Sequence, residues 1–499
     1  MGAVVLFSLV TVIVYMITRA SLVLYADYTL FEKTFSILLI VGEFFILVHA
    51  FGYALNILNV YRLNARKTPP APTGESSLSS PFVAILVAAR HEPREVLEET
   101  FASLYNLKYK NKKIFFLDDS SDEKYKKEAE EIAEEFSLEL FRRKERHGAK
   151  AGIINDCLKK LDQKYVAVFD ADQTPLPEFL DTLIPLLELD ARLAFVQTPQ
   201  FYTNIDENRV ARASAFQQAV FYEYICEGKN TRDAMFCCGT NIVFRRRALQ
   251  EVGGLDESTV TEDFATSVKF HAAGWKSLYH NHVYAFGMAP ENLTAYFNQQ
   301  YRWANGTISV FKKILWLFVC HPFSLKLRQW WEYFLSGSFY IVGIAFFVLM
   351  TCPVMYLLFN VPSFFARPEI YFLAFLPYIT LSLVVFYMVL GRRHYKMKDL
   401  FMGQLLGVVT FSVYFRAVVS AILGIKTTFG ITGKSKEKAI SYFRLWPQLS
   451  IIFLSYISII WGINRFVYER DPAILINGFW ALYHLLAMSS IFYFNEDMK

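Results

Sequence analysis

The sequence predicts an α/β domain that is inserted between two groups of membrane-spanning α-helices. Apolar residues make up 54% of the 499 residues, and mean hydropathy is +0.27, which is more apolar than soluble domains usually are. Long apolar runs are concentrated towards both ends of the chain, whereas its middle alternates short β-rich runs with charged helical segments. The long runs favour membrane spans, and the alternation favours a folded α/β layer.

Two long apolar stretches open the chain, Ala3 to Leu24 and Thr34 to Val60. Each exceeds the ~20 residues that a helix needs to cross a bilayer, so residues 1–62 are predicted to form two transmembrane helices. The first stretch has no basic segment before it and no small-residue cleavage site, so we interpret it as a retained span rather than a signal peptide. Basic residues follow the second stretch and place the Pro/Ser/Gly-rich linker 63–80 in the cytoplasm.

Residues 81–290 are predicted to form the inserted domain. The apolar runs FVAILVAA, KIFFLDD, YVAVFDAD and LAFVQTP read as strands separated by charged helices, which predicts a largely parallel sheet. Ligands of such sheets bind at the carboxyl ends of the strands. Acidic side chains stand at these predicted ends, namely Asp118, Asp119, Asp170 and Asp172.

The chain becomes apolar again from residue 291. Residues 291–328 are predicted to lie at the membrane surface, and residues 329–499 to form a C-terminal bundle. Its spans are expected near Tyr333–Phe359, Glu369–Leu390, Leu449–Phe466 and Leu475–Phe494. Two charged segments suit amphipathic interface helices, Glu291–Trp316 and Met397–Leu423, and the second also fits a seventh span. Basic loops place both termini and the inserted domain on the cytoplasmic side of the plasma membrane.

Net charge and cysteine content limit the classes of partner that the sequence predicts. A net charge of +5 is too mild to indicate nucleic acid, and the basic residues cluster beside the apolar spans as the positive-inside rule expects. The six cysteines have no CxxC spacing typical of a metal site, so we interpret them as reduced thiols. The bilayer is therefore the first partner that the sequence predicts.

Two acidic motifs favour a metal–diphosphate site. FDADQTP, residues 169–175, places two carboxylates one residue apart after a strand. Oxygen ligands suit Mg²⁺ or Mn²⁺, which usually keep substrate phosphate in their shell, so Asp172 is expected to hold the metal and Asp170 to reach the nucleotide or the metal. FFLDDSSD, residues 115–122, offers Asp118 and Asp119 to a base or a ribose. Each motif alone is also typical of a solvated turn.

Two further motifs supply a cation and a base. In HGAKAGIIN, residues 147–155, Lys150 is suited to offset phosphate charge, although a surface lysine fits the same pattern. Asp263 in VTEDF is the candidate general base for an acceptor hydroxyl that attacks an anomeric carbon. Taken alone, that acidic pair also fits a helix N-terminus.

QQYRW, residues 299–303, is the most informative local pattern. On a helix, Gln299, Arg302 and Trp303 are spaced i, i+3 and i+4 and share one face. Arg302 is suited to offset charge on a leaving diphosphate, and the indole of Trp303 offers a flat face for a pyranose ring. An aromatic and basic belt at the membrane surface is the alternative interpretation.

These motifs occur in one order with several others: LDD at 117–119, HGAKAG at 147–152, FDAD at 169–172, TPQF at 198–201, FCCGTN at 236–241, TED at 261–263, FHAAGWKSLY at 270–279, MAPE at 288–291, QQYRW, and FGITGK at 429–434. Over residues 80–440 the chain resembles the cellulose-synthase-like branch of the processive family-two glycosyltransferases, which are related to hyaluronan and chitin synthases. Two departures leave the sugar and linkage open. Gln173 stands where that branch tends to have His, and AARHEP at 88–93 replaces a Tyr-Asn-Glu type sequence.

The resemblance implies a GT-A domain, Mg²⁺ or Mn²⁺ as cofactor, and a set of roles. It implies catalysis by Asp263, Glu262 and Arg302; donor binding by Asp118, Asp119, Lys150, Asp170, Gln299, Arg302, Thr432 and Lys434, the last two on a gating loop near 426–442; acceptor binding by Trp303, Cys238 and Gly239; and metal binding by Asp172 and Asp170. Aromatic residues of the membrane region are candidates for contact with product, although core or interface packing is the favoured alternative for each: Trp330, Trp331, Tyr333, Tyr340 and Tyr414.

The implied activity is polymerisation of a UDP-sugar, most closely UDP-glucose, into a β-linked polysaccharide that crosses the membrane through the protein. Expected partners are the UDP-sugar, the growing polysaccharide, the bilayer, and accessory export proteins or a second copy of the chain. The alternatives are another β-glycan (β-1,3-glucan, mannan, poly-N-acetylglucosamine or hyaluronan type), a non-processive transferase acting on a membrane lipid, and a transporter or receptor with a degenerate domain. The intact acidic motifs and QQYRW argue against the last alternative.

Overall fold

The computed structural model describes residues 2–25, 29–63, 80–362, 368–391, 395–425 and 439–496. Two helices open the chain, α1 (Gly2–Tyr25) and α2 (Leu30–Leu63). They pack against each other, and a buried ion pair between Arg19 Nε and Glu43 Oε2 (2.5 Å) joins them. Helices of this length and apolarity bury their side chains mainly in lipid.

The inserted domain follows as an α/β unit. Its elements are β1 (Val83–Ala89), α3 (Arg94–Tyr105), β2 (Lys112–Asp118), α4 (Glu123–Glu135), β3 (Glu139–Phe141), α5 (Ala149–Leu158), β4 (Tyr165–Asp170), β5 (Thr174–Pro175), α6 (Phe179–Leu189), β6 (Leu193–Gln197), β7 (Phe201–Tyr202), α7 (Arg209–Val220), a π-helical segment Phe221–Cys226, α8 (Glu227–Asn230), β8 (Ile242–Arg245), α9 (Arg246–Glu251), α10 (Glu262–Ala272), β9 (Lys276–Tyr279) and β10 (Ala285–Gly287).

A seven-stranded sheet forms the centre of this domain, in the order β3-β2-β1-β4-β8-β6-β9. All pairs are parallel except those that β8 makes with β4 and β6. The strands β1 and β4 are buried on both faces, because helices cover both sides of the sheet, and this explains their continuous apolar sequences. A smaller sheet, β5-β10-β7, lies beside it.

The register of the central strands places their carboxyl ends side by side. Ala89 at the end of β1 pairs with Asp118 at the end of β2, and Ala88 pairs with Asp170 at the end of β4. The acidic residues that the sequence places at strand ends therefore meet at one edge of the sheet, where parallel sheets bind their ligands.

The C-terminal part is helical in the described residues. It contains α11 (Leu293–Cys320), α12 (Leu327–Ser338), a 3₁₀ turn Phe339–Ile341, α13 (Val342–Phe359), α14 (Pro368–Gly391), α15 (Met397–Val409), α16 (Phe411–Ile422), a 3₁₀ turn Tyr442–Leu445, α17 (Trp446–Glu469) and α18 (Pro472–Asn495). The third span begins at Leu327, six residues before the predicted Tyr333, because α12 is part of the apolar helical stretch Leu327–Phe359.

Six helical stretches among the described residues are long and apolar enough to cross a membrane: Gly2–Leu24, Glu32–Tyr61, Leu327–Phe359, Glu369–Gly391, Tyr442–Glu469 and Pro472–Asn495. The pair α15 and α16 is bent by 45° and fits either a broken span or a re-entrant segment, so the choice that the sequence leaves open for Met397–Leu423 stays open. The predicted fold class, an α/β domain between about six spans, is confirmed, and the chain is an integral membrane protein.

A buried charged cluster fixes the α/β domain to the membrane helices. Lys229 Nζ on α8 contacts Glu332 Oε2 on α12 at 3.1 Å, and both side chains are 1% exposed. Asn56 on α2 donates to the same carboxylate at 3.1 Å, and a Cβ at Gly228 would lie 2.3 Å from the Asn56 side chain. Three elements thus meet in close contact at this junction.

Candidate active site

The turn after β4 is held from two sides. The Asp170 backbone N–H donates to Thr240 Oγ1 at 2.9 Å, and Thr100 Oγ1 on α3 donates to the Ala171 carbonyl at 2.8 Å. The turn therefore has a fixed path, and both Asp170 and Asp172 line a cavity.

Gln173, the first departure from the family pattern, is a buried part of the cavity wall, and its Nε2 donates to Asp172 Oδ1 at 3.5 Å. Its side chain is 2% exposed, and its Oε1 accepts a hydrogen bond from Asn241 Nδ2 at 2.8 Å. A Cβ at Gly287 would lie 2.0 Å from Gln173 Nε2, so this glycine makes room for the amide. Gln173 thereby anchors the acidic turn to β8 and β10.

Lys150 stands at the start of α5 and bridges two motifs. Its ammonium contacts the Asp170 carboxylate and donates to the Gly239 carbonyl at 2.8 Å. Burial acts to lower the pKa of Lys150, but the carboxylates of Asp170 and Glu262 outweigh it and raise that pKa above its ordinary value. Lys150 therefore remains a cation beside the acidic turn.

Asp263 lies in the first turn of α10 against the FCCGTN loop. Its Oδ1 accepts the Phe264 backbone N–H at 2.7 Å, and a Cβ at Gly239 would lie 3.2 Å from its Oδ2. Gly239 has φ +81°, so both the backbone conformation and the close approach favour glycine here. Burial, followed by the charge of Glu262, raises the pKa of Asp263 to about 7.

Two more carboxylates have displaced pKa values close to the acidic turn. Burial, and then the charge of Asp170, raise the pKa of Asp172 to about 6. Burial, with smaller contributions from Asp172 and Asp170, raises the pKa of Glu92 to about 7. Like charges gathered in a buried site repel one another, and a divalent cation would relieve that repulsion.

The structure describes no group of three or more His, Cys, Asp or Glu side chains that could enclose a metal within the covered ranges. The acidic turn supplies two carboxylates at a cavity wall, which fits a site whose remaining ligands come from substrate phosphate and water. Because oxygen donors suit Mg²⁺ and Mn²⁺, the donor set fits the predicted cofactor.

The two aspartates after β2 have different environments. Asp118 is buried and accepts from Arg142 Nε at 2.6 Å and from the Ser120 backbone N–H at 3.0 Å. Asp119 accepts from Arg143 and from Arg146 at 2.8 Å and lines the cavity. Asp119 is therefore the member of this pair that is placed to meet a ligand.

The QQYRW motif lies on α11, as the helix prediction requires. Gln299, Arg302 and Trp303 all line the cavity, which is consistent with their i, i+3, i+4 spacing. Gln300 also lines the cavity and accepts a hydrogen bond from the Tyr414 hydroxyl of α16 at 2.9 Å. The motif thus joins the α/β domain to the membrane helices.

One cavity of about 1230 Å³ connects these groups. We call the part lined by the α/β domain and α11 the reaction half, and the part lined by α2 and α12 to α18 the membrane half. Predicted site residues that line the reaction half are Asp119, Lys150, Asp170, Asp172, Cys238, Asp263, Gln299, Arg302 and Trp303. Asp118, Glu262 and Gly239 lie behind this lining. Thr432 and Lys434, with the predicted gating loop, lie outside the described residues.

The aromatic candidates of the membrane region divide into two groups. Tyr340 and Tyr414 line the membrane half. Trp330 donates to the Pro322 carbonyl at 2.8 Å, and the Tyr333 hydroxyl is hydrogen-bonded to Nδ1 of His271 at 2.6 Å. Those two, together with Trp331, are absent from the described cavity lining.

The sequence analysis did not identify several residues that line the cavity. Arg90 and Glu92 stand in AARHEP, whose charges after a predicted strand were a usable signal. Tyr296 and Gln404 reach the cavity only because distant helices cross there, and no local pattern indicates this.

The comparisons with known proteins agree with this architecture. Residues 165–390 match the family described as Glycosyl transferase family group 2. The chain is 27% identical over 98% of its length to a UDP-forming cellulose synthase catalytic subunit of Pseudomonas fluorescens, of which it covers 66%. It is 34% identical over 50% of its length to a UDP-forming cellulose synthase catalytic subunit of Dictyostelium discoideum, of which it covers 24%.

The chain therefore spans less than two thirds of the length of these relatives. Among solved structures, a mannosyltransferase from Pyrobaculum calidifontis in complex with GDP-Man and Mn²⁺ aligns with a TM-score of 0.54 and 16% identity, over 77% of this chain and 99% of that one. That likeness concerns the fold, which is GT-A-like.

Proposed function

Because this chain resembles the cellulose-synthase-like branch of the family-two glycosyltransferases in its motifs, its family match and its relatives, we propose that it polymerises the sugar of a UDP-sugar into a β-linked polysaccharide. UDP-glucose is the proposed donor, in line with the UDP-forming cellulose synthases among its relatives. The observation that carries the proposal is the single cavity that Asp172, Asp263 and Trp303 line together and that continues between the membrane helices.

In the proposed reaction, the terminal hydroxyl of the acceptor attacks the anomeric carbon of the donor sugar. Asp263 takes the hydroxyl proton as the new C–O bond forms and the bond to the diphosphate breaks. With a pKa of about 7, Asp263 is substantially ionised at neutral pH and still basic. Direct displacement inverts an α-linked donor and gives the β-linked product.

The leaving diphosphate carries the charge that the reaction develops. Arg302 and Lys150 line the same cavity and are placed to offset that charge in a site with little water. Asp170 and Asp172 would hold Mg²⁺ or Mn²⁺, which neutralises diphosphate charge when bound. The fold neighbour that carries Mn²⁺ supports a divalent cation.

The membrane half is the proposed path of the product. A glycan carries many hydroxyl groups, which are costly to leave without partners in lipid. Gln404, Tyr340 and Tyr414 line this half and offer hydrogen-bonding groups and flat faces. We place the α/β domain in the cytoplasm, the spans in the plasma membrane, and the passage of product outward, to accessory export proteins or a second copy of the chain.

Purified full-length protein, incubated with each UDP-sugar and Mg²⁺ or Mn²⁺, tests the proposal. UDP release from UDP-glucose should accompany products longer than a few sugars, which a linkage-specific β-glucan hydrolase degrades. Omitting the cation should abolish UDP release. Single-sugar products on a lipid would instead establish a non-processive transferase, and polymer from another UDP-sugar would correct the substrate.

A further inference from the structure

One cationic side chain of the reaction half has no partner among the residues that the structure describes. Arg90 follows β1 directly and lines the cavity. Its Nε is buried without a hydrogen-bond partner, and its guanidinium forms no ion pair within the described ranges. Buried polar groups of native proteins are nearly always paired, so an orphaned one requires an explanation.

The neighbouring cationic side chains, in contrast to Arg90, have carboxylate partners. Arg146 is paired with Asp119 at 2.8 Å, and Lys150 contacts Asp170. Arg90 as a whole is half-buried, but its buried Nε lacks an acceptor, which costs free energy, and that cost is recovered if a ligand brings the missing acceptor. Since Arg90 faces the proposed donor site, the donor is the ligand that fits.

The position of Arg90 indicates which part of the donor it meets. Its preceding residue, Ala89, pairs with Asp118 and accepts the Asp119 backbone N–H at 2.9 Å. The next residue, His91, stacks on Tyr125 with 4.9 Å between ring centroids and 29° between planes, and the Ser121 N–H donates to its Nε2 at 3.0 Å. Both rings line the cavity.

This side of the cavity therefore combines flat aromatic rings, a cavity-facing carboxylate and a free guanidinium. Such groups suit a heteroaromatic base, because its ring can stack on the aromatic rings and its polar edge can meet the guanidinium. The acidic turn follows the neighbouring strand β4, and Lys150 contacts its Asp170, which leaves the β1–β2 edge for the nucleoside.

We propose that Arg90 donates hydrogen bonds to a keto oxygen of the donor nucleobase and so makes the site select a keto base over its amino counterpart. This inference rests on the proposed function, and it identifies the class of nucleotide that the sugar donor carries. A guanidinium has five N–H donors and no acceptor. It can pair with the oxygen at position 4 of uracil, and it cannot pair with the amino group that cytosine carries there.

UDP and CDP form a matched pair for the test, since their bases differ only in the keto or amino group at position 4 and in the proton on the adjacent N3, and inorganic pyrophosphate reports phosphate binding alone. Affinities for all three are measured by titration calorimetry on the full-length protein with Mg²⁺. We expect the unsubstituted protein to bind UDP more tightly than CDP. Arg90→Met should weaken UDP roughly tenfold to a hundredfold, as expected for a charged hydrogen bond, and change CDP and pyrophosphate less than about twofold.

Two further variants serve as controls for this interpretation. Arg90→Lys keeps the charge but lacks the planar fork, so it should bind UDP with intermediate affinity. Arg247→Met removes an exposed arginine of α9 and should change nothing. The thermal unfolding temperature of Arg90→Met should stay the same or rise, because an unpaired buried charge is removed.

Each other outcome overturns the inference. Equal losses for UDP, CDP and pyrophosphate would assign Arg90 to phosphate, unchanged UDP affinity would remove it from the site, and a lower unfolding temperature would make its role structural. If the unsubstituted protein binds no nucleotide, the proposed function fails as well. Unchanged UDP affinity in Arg90→Met, with normal binding by the unsubstituted protein, overturns only the base-recognition step.

Discussion

The two halves of the cavity are built from different chemistry. In the reaction half, charged residues stand at strand ends and helix starts, among them Lys150, Asp170, Asp172 and Asp263, and Arg302 joins them from within α11. In the membrane half, none of the described lining residues carries a charge; the lining consists of Tyr, Gln, Ser, Gly and apolar side chains. Both halves nevertheless enclose one continuous space.

The difference follows from what each half would contact. A diphosphate and a cation need opposite charges, and a low-dielectric site strengthens their interaction. A neutral glycan needs hydrogen-bonding groups without fixed charge, because a charge left behind by a passing sugar would stand unpaired in a dry environment. Separation of charge along the cavity thus allows tight donor binding beside weak, repeated contacts with product.

The comparison of the two halves predicts the largest effect for substitution of the general base, Asp263. Asp263→Asn removes the proton acceptor but leaves the cations and the acidic turn in place, so turnover should fall about 10²- to 10⁴-fold while UDP affinity changes less than about twofold. Coupled UDP release and titration calorimetry measure the two quantities. Asp162→Asn, at an exposed position, is the matched control, and full turnover in Asp263→Asn would remove this residue from catalysis.

A charge placed in the membrane half should act on product rather than donor. Gln404→Glu puts a carboxylate into the neutral lining beside Tyr387, whose hydroxyl donates to Gln404 at 3.3 Å. An uncompensated buried charge costs ~2 kcal/mol or more, so the rate of polymer elongation should fall about thirtyfold. Gln404→Asn should retain most elongation. A loss of UDP affinity in Gln404→Glu would show that the two halves are not separable.

Trp303 lines the reaction half from α11, the helix that packs against α16 of the membrane half. Trp303→Ala removes a half-buried indole, and the lost apolar contact of ~1.5 kcal/mol should slow elongation about tenfold and leave donor binding within about twofold. Product-length analysis beside UDP calorimetry separates the two effects. Trp316→Ala, on an exposed turn of the same helix, is the control, and equal losses of both activities would argue against an acceptor platform.

The smallest expected effect is a pH dependence in the reaction half. Because Asp263 must be ionised to act as base and has a pKa of about 7, kcat/KM should decrease by about threefold from pH 7.5 to pH 6.5. UDP affinity measured over the same range separates this loss from protonation of Asp172. An activity that rises as pH falls would contradict the assignment of the base.

The sequence anticipated the reaction half better than the membrane half. The acidic motifs fall at strand ends because β1, β2 and β4 are continuous apolar runs, so local pattern and parallel pairing were enough to bring Asp119 and Asp170 together. The spacing of QQYRW placed Arg302 and Trp303 on one helix face in the same way. In both cases the information is local.

What could not be predicted depends on contacts between distant segments. Tyr414 reaches the cavity because α16 crosses α11 at Gln300. The sequence offered Tyr333 as an equal candidate for contact with product, but its hydroxyl is hydrogen-bonded to His271. The hydrogen bond that Gln173, a residue of the cavity wall, accepts from Asn241 also joins segments that are distant in sequence. Side-chain direction in such places is set by tertiary packing rather than by propensity.

The junction of Lys229 and Glu332 limits how the molecule can work. Any sliding of α8 past α12 would pull two fully buried opposite charges apart without solvent to replace either partner. The reaction half and the membrane half of the cavity should accordingly keep a constant separation. If the chain polymerises sugars as proposed, the polymer rather than the protein domains would then advance, one residue length at a time, past a stationary point of synthesis.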